Sequence, residues 1–172
     1  MAKIILVGYM GSGKTTIGKM LSEYVGIPFY DLDDIIEKYI GKSIPTIFLE
    51  NGEVFFRKME HKLFNEFVKD NDSFVLSLGG GTPCYANNHL LLQNSNIDSF
   101  YLKNTVEELV NRLKKEKQQR PLISNLTEVE LKEYISKHLF ERNYFYFQSK
   151  HTIETENKSE IEITKDIIEK LA

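Results

Sequence analysis

The stretch Gly8-Tyr9-Met10-Gly11-Ser12-Gly13-Lys14-Thr15 limits what this chain can fold into more than any other, because it fits the spacing G-x-x-x-x-G-K-[ST] and because of what flanks it. Before it, Ala2 to Val7 is a short apolar run of the kind that forms a strand covered on both faces of a parallel sheet. After it, Ile17, Met20, Leu21 and Tyr24 recur at three- to four-residue spacing up to Gly26, which predicts a helix from Thr15 to Val25. A strand, a glycine turn and a helix in that order let successive backbone N–H groups turn inward on phosphate oxygens, with the positive end of the helix behind them. Gly11, Ser12, Gly13, Thr15 and Thr16 are the candidate nucleotide-binding positions, joined by Lys14, which can reach the β- and γ-phosphates. The Thr15 hydroxyl can face Mg²⁺.

The same alternation continues. Pro28 to Tyr30 reads as a second strand, and Asp31-Leu32-Asp33-Asp34 opens a helical stretch carrying Ile35, Ile36, Tyr39 and Ile40 up to Gly41. Phe74 to Leu78 is a third buried run, stopped by Gly79-Gly80-Gly81 and Pro83, and Ile97 to Leu102 is a fourth, followed by a helix from Thr105 to Lys115. From Lys114 to Leu126 the chain is polar and basic, is broken by Pro121 and has little to bury, which marks a mobile surface segment and candidate lid. A long helix is predicted from Thr127 to Phe147, with Thr127 and Glu130 as a capping box, then a weak strand at Thr152 to Thr155 and a final helix. Strands alternating with helices predict an α/β fold, a doubly wound sheet. With no internal repeat and no linker, residues 1–172 read as one domain.

Composition removes several alternatives. Lys and Arg total 22 against 25 Asp and Glu, a formal net charge of -3, so no basic field draws the chain to nucleic acid. The single cysteine, Cys84, excludes an internal disulfide and a cysteine metal cluster, as suits a reducing compartment. The apolar runs are too short to span a bilayer, and the first of them passes into the glycine loop where a signal peptide would carry a cleavage site. The chain is expected to be cytoplasmic and monomeric, with no nucleic-acid or membrane partner.

A phosphate loop does not say what is done with the nucleotide, so the acceptor side must come from other charged residues near strand ends. Asp31 and Asp33 flank one apolar residue at the end of the second strand, where a carboxylate can serve as Mg²⁺ partner or proton acceptor; the competing reading is a helix cap at Asp33 or Asp34. Arg57 precedes Glu60 by three residues and could pair with it on a helix, although such pairs are usually solvated. Arg142, set among aromatic residues, is either an anion ligand or, as spacing alone favours, a snorkelling surface side chain. Arg120 is either an arginine finger carried by the lid or part of a solvated basic loop. Three successive glycines, Gly79, Gly80 and Gly81, point to a close approach of backbone to a ligand. Cys84 and the histidines His61, His89, His138 and His151 show no metal spacing and read as structural or surface residues, and Tyr144 to Phe147 reads as core.

Taken together, GYMGSGKTTIG at 8–18, DLDDIIE at 31–37, GKSIPTIFLENGEVFFRKME at 41–60, LGGGTP at 78–83, RPL at 120–122 and Arg142 with Tyr146 resemble the shikimate kinase family, which has the nucleoside-monophosphate-kinase-like P-loop fold. The resemblance implies a three-layer fold with a five-stranded parallel sheet in the order 2-3-1-4-5, a shikimate-binding segment near 32–61 and a lid near 113–126. It implies transfer of the γ-phosphoryl of ATP to the 3-hydroxyl of shikimate, in the pathway to chorismate and the aromatic amino acids. Asp31 and Thr15 would then stand near Mg²⁺, and Asp33 on the acceptor hydroxyl. Arg57 and Arg142 would grip the carboxylate, and Gly79, Gly80 and Gly81 would line the acceptor pocket with Phe48 and Phe56. Arg112 would pack near the adenine, and Arg120 would descend with the lid. The chain departs from the family pattern in a lid rich in Lys and Gln, in the loop from Thr155 to Ser159 and in the number of aromatic residues on its helices. Kinases of gluconate or of nucleotides, and a nucleotide-dependent switch without transfer activity, are the competing functions.

Overall fold

The structure, a computed structural model, describes residues 1–171. Its strands β1 (Lys3–Val7), β2 (Phe29–Asp31), β3 (Phe74–Ser77), β4 (Asp98–Lys103) and β5 (His151–Glu154) form one parallel sheet in the order β2-β3-β1-β4-β5. Side chains along β1 alternate between two cores, as a pleated strand requires. Ile4 and Leu6 join Ile17, Leu21, Phe100 and Ile163, whereas Ile5 and Val7 join Ile36, Phe64, Leu113 and Ile135. Helices α1 (Lys14–Val25) and α6 (Glu160–Leu171) therefore cover one face. Helices α2 (Leu32–Ile40), α3 (Ile44–Asp70), α4 (Val106–Glu116) and α5 (Glu128–Tyr146) cover the other, completing three layers. Because β1 lies between β3 and β4, the chain leaves it first toward β2 and later crosses to β4 on the other side; ligands of such sheets bind beyond the carboxyl ends at this switch.

Local chemistry sets most element ends where the sequence predicts them. Helices α1 and α2 stop at Gly26 and Gly41, both left-handed, and α5 starts in the predicted capping box: the Glu130 N–H donates to Thr127 Oγ1 at 3.2 Å, and the Thr127 N–H donates to Glu130 Oε1 at 3.1 Å. Three expectations need correction. The cap of α2 is Asp31, whose Oδ1 accepts the Asp33 N–H at 2.9 Å, so Asp33 lies inside the first turn and does not precede it. The polar segment 114–126 does bury something: Ile123 is fully enclosed in the larger core and Leu126 packs against it. Of the aromatic run at 144–147 only Tyr146 is fully buried, because one turn of helix cannot turn four successive side chains to the same core.

Helix α3 is the element that the sequence pattern left undefined. It starts at Ser43, whose hydroxyl accepts the Thr46 N–H, and breaks at Gly52 with φ 82° and ψ 172°, a conformation open essentially to glycine alone. The break separates a first arm, 44–51, with Leu49 exposed, from a second, 53–70, that buries Phe56, Glu60, Leu63, Phe64 and Val68. Gly52→Ala is expected to lower stability by about 1–3 kcal/mol, read by urea denaturation, although no atom stands in the way of the added methyl group. A neutral result would mean that the kink relaxes without strain.

Candidate active site

Strand β1 ends in the loop from Gly8 to Gly13, and α1 starts on it without a side-chain cap, which leaves its first backbone N–H groups without a side-chain acceptor. The ammonium of Lys14 is folded back into this loop, donating to the carbonyls of Gly8 at 2.7 Å and Tyr9 at 3.0 Å. Burial pushes its pKa down to about 8, against the opposing pull of Asp33 and Asp31. From α4, Arg112 donates to the Gly11 carbonyl at 3.3 Å, and Leu113 packs against the same glycine. A cleft of 610 Å³ opens here, walled by Gly11 to Thr16, Asp31, Asp33, Gly79, Gly80, Arg112 and Arg120. Arg120 is held by Glu116 through its Nε at 3.1 Å and Nη2 at 2.9 Å, and its Nη1 reaches Met10 Sδ at 3.8 Å.

The two aspartates differ in what holds them. Asp31 is engaged as a helix cap, whereas the Asp33 carboxyl has no hydrogen-bond partner among the described residues and lies beside Gly79, its Oδ1 3.2 Å from where a Cβ on that glycine would lie. Burial, reinforced by the negative charges of Asp31 and Glu60, pushes Asp33 up to about 7. The cleft thus contains a cation made easier to neutralise and a carboxyl made harder to ionise, the pattern expected where a proton or a charged group must be handled.

Beyond the cleft wall, Gly80 and Gly81 bring the two candidate arginines together. A Cβ on Gly80 would lie 3.2 Å from Arg142 Nη1, and one on Gly81 would lie 2.8 Å from Arg57 Nη2. Arg57 is aimed by Glu60, which accepts its Nη1 at 2.8 Å and, through its second oxygen, the Thr82 hydroxyl at 2.8 Å. The guanidinium also lies 4.0 Å from the ring centre of Tyr85 and 5.1 Å from that of Phe56, which in turn packs against Phe48 at 4.6 Å. Tyr146 donates to the Gly80 carbonyl at 2.6 Å. Among the described residues Arg142 has no carboxylate at ion-pair distance, which makes it a partly buried cation short of an anion. Arg57, Arg142 and Gly81 do not line the cleft that holds Lys14; Gly79 and Gly80 link the two regions.

Compared with known proteins, the model of the family described as shikimate kinase matches residues 10–172. The chain belongs to the shikimate kinase family. It is accordingly an ATP-dependent phosphotransferase with an alcohol acceptor. Its shikimate kinase relatives include the enzyme of Flavobacterium psychrophilum, 53% identical over 97% of both chains, and that of Flavobacterium johnsoniae, 49% identical over the full length of both. Among solved structures, the shikimate kinase of Bacteroides thetaiotaomicron superposes with a TM-score of 0.87 at 34% identity, covering 99% of this chain and 96% of that one. The Acinetobacter baumannii shikimate kinase in complex with shikimate gives 0.86 at 33%, covering 99% and 93%. A deoxyadenosine kinase from M. mycoides, 18% identical with a TM-score of 0.63 and covering 98% of each chain, shares the P-loop kinase fold.

Within this shikimate kinase framework, the sequence does not single out Thr82 or Tyr85, and it offers Glu60 as a possible partner of Arg57 without showing that Glu60 is buried. The depth of Glu60 could have been suspected from the apolar residues Phe56, Leu63 and Phe64 on the same helical stripe, whereas nothing local marks Tyr85. Three of the four histidines hold structural contacts: His61 bonds Asn88 at 2.6 Å, His151 stacks on Phe100, and His89 lies edge-on to Phe145. No group of three or more His, Cys, Asp or Glu side chains suited to a metal ion occurs among the described residues.

The perturbed pair predicts how stability depends on pH. With a folded value near 7 against an ordinary 3.8, Asp33 contributes stability that is present below about pH 4 and lost as pH rises through 7. With a folded value near 8 against 10.5, Lys14 contributes stability that is present above about 10.5 and lost as pH falls through 8. Urea denaturation of the ligand-free protein should therefore show Asp33→Asn gaining on the parent between pH 4 and 7, by at most about 4 kcal/mol. A difference that stays constant across that range would contradict the assignment.

Proposed function

We propose that the chain transfers the γ-phosphoryl of ATP to the 3-hydroxyl of shikimate, giving shikimate 3-phosphate and ADP for the pathway to chorismate. The observation that carries this reading is the series of groups set against three successive glycines: Asp33 at Gly79, Arg142 at Gly80 and Arg57 at Gly81. An acid with a hydroxyl on its ring fits that series, its carboxylate paired with both guanidinium groups and its hydroxyl toward Asp33 and the phosphate loop. The backbone from Gly11 to Thr16 and Lys14 would hold the triphosphate, with Arg112 beside the nucleotide. Asp33 would orient the hydroxyl and accept its proton, for which a carboxyl raised to about 7 is well matched near neutral pH.

Thr15 and Asp31 fit Mg²⁺, since they offer a hydroxyl and a carboxylate on one cleft wall and leave the other positions of a hard, octahedral ion to water and phosphate. When bound, the ion supplies neutralisation of the phosphate charge. Arg120 and Lys14 would add their charges to the transferring group. The segment 113–126 would act as a lid that excludes water, and 32–61 as the acceptor segment, within a single domain 1–172. The reading takes the protein to work as a cytoplasmic monomer without nucleic-acid or membrane partners; among the described residues no helix is long and apolar enough to cross a membrane.

Release of ADP should depend on shikimate and not on gluconate or a nucleoside monophosphate; turnover with either of those alone would overturn the acceptor. Asp33→Asn is expected to lower kcat by at least about 100-fold while the KM for ATP changes little. Arg57→Ala and Arg142→Ala should each raise the KM for shikimate by about 10- to 100-fold, the loss of a charge-assisted contact. Near-parental values in these variants would remove the corresponding role.

A further inference from the structure

We propose that Tyr9 and His138 form a latch that sets helix α5 against the phosphate loop and so positions Arg142 for the acceptor. This rests on the reading that Arg142 takes the acceptor's carboxylate. Tyr9 follows the first glycine of the loop, and its side chain is almost wholly buried in the larger core. Its hydroxyl lies 2.9 Å from His138 Nδ1, and its ring centre lies 5.6 Å from the Arg142 guanidinium carbon. Its carbonyl accepts the Lys14 ammonium at 3.0 Å and the Ser12 N–H at 3.1 Å. One residue therefore touches the cation of the phosphate loop through its backbone and the candidate acid-binding cation through its ring.

The positions along α5 make the contact directional. His138, Arg142 and Tyr146 are spaced four residues apart, so they lie on one stripe of the helix. One turn before Arg142, His138 meets the Tyr9 hydroxyl; one turn after it, the Tyr146 hydroxyl donates to the Gly80 carbonyl at 2.6 Å. Arg142 is thus bracketed by two tyrosine hydroxyl contacts, one tying α5 to the Tyr9 side chain of the phosphate loop and the other to the Gly80 carbonyl. A phenylalanine facing a leucine would fill the same space without desolvating two polar groups, and would leave α5 free to slide or turn. Burial, and then the positive charge of Arg142, holds the His138 ring below its ordinary value, while burial pushes the Tyr9 hydroxyl up. A neutral ring and a protonated hydroxyl can share one hydrogen bond, its direction set by the ring tautomer. Tyr134 packs edge-on to the imidazole at 4.4 Å.

Steady-state kinetics of Tyr9→Phe, His138→Leu, their double variant and His138→Asn test the latch, with Arg142→Ala run alongside. Tyr9→Phe and His138→Leu should each raise the KM for shikimate by about three- to tenfold, the range for one neutral hydrogen bond, while the KM for ATP stays within about twofold. The double variant should be no worse than either single one. His138→Asn, which keeps a polar atom near the Nδ1 position, should recover most of the loss. Additive effects, an equal rise in both KM values, or no recovery with Asn would overturn the proposal. If Arg142→Ala weakens shikimate and Tyr9→Phe does not, the latch alone is wrong; if Arg142→Ala also has no effect, the carboxylate grip on which it rests is wrong.

Discussion

An ammonium group that no carboxylate touches among the described residues, enclosed at the end of the central strand, is the constraint around which this structure is arranged. Lys14 is held by the carbonyls of Gly8 and Tyr9, which compensate only part of the lost hydration, and its lowered pKa records the remainder. These contacts, with the Ser12 N–H closing on the Tyr9 carbonyl at 3.1 Å, hold the loop at the carboxyl end of β1, where it borders the cleft beyond that strand. The sheet order then decides what faces that space. With β3 on one side of β1 and β4 on the other, the glycines after β3 and Arg112 from the helix after β4 border the same crevice. Asp33 reaches it from the first turn of α2.

The second constraint is the bareness of Gly79, Gly80 and Gly81. Each meets a charged group within about a side chain's contact distance, and at Gly81 a methyl group would collide with Arg57. Here the absence of a Cβ matters for approach, not for an unusual backbone conformation, since none of the three has a positive φ. A buried carboxylate has to be paired, and Glu60 is paired twice, by Arg57 and by Thr82. That pairing fixes the direction of a guanidinium which would otherwise follow its aromatic neighbours. Arg142 is treated differently: it has aromatic and backbone neighbours but no fixed anion, which is the state in which an arginine can take one from a ligand.

How much of this was legible follows from distance along the chain. The phosphate loop could be read completely, because strand, glycines, lysine and helix are contiguous. The strands and the capping box at Thr127 were legible because apolar runs and caps are local. Arg57 and Arg142 could not be assigned from spacing, since they lie 85 positions apart and only the packing of α3 and α5 against the turn Thr82–Cys84 brings both to the glycines; the family resemblance supplied what local pattern could not. Helix α3 went unrecognised because Gly52 interrupts it and its buried residues are mixed with charges. Asp31 was read as a metal partner or proton acceptor, and the capping role that the sequence offered to Asp33 or Asp34 falls to Asp31. Tyr9 and His138 carry no signal at all until the fold places them 2.9 Å apart.

The proposed function requires a triphosphate on the loop amides and an organic acid held against the three glycines so that its alcohol faces the terminal phosphorus. A crystal structure of the protein with a non-hydrolysable ATP analogue and shikimate tests it most directly. The shikimate carboxylate should lie within hydrogen-bond reach of both Arg57 and Arg142, and the 3-hydroxyl beside Asp33 and in line with the γ-phosphate. A shikimate bound with its carboxylate away from both arginines, or with a different hydroxyl at Asp33, would contradict it.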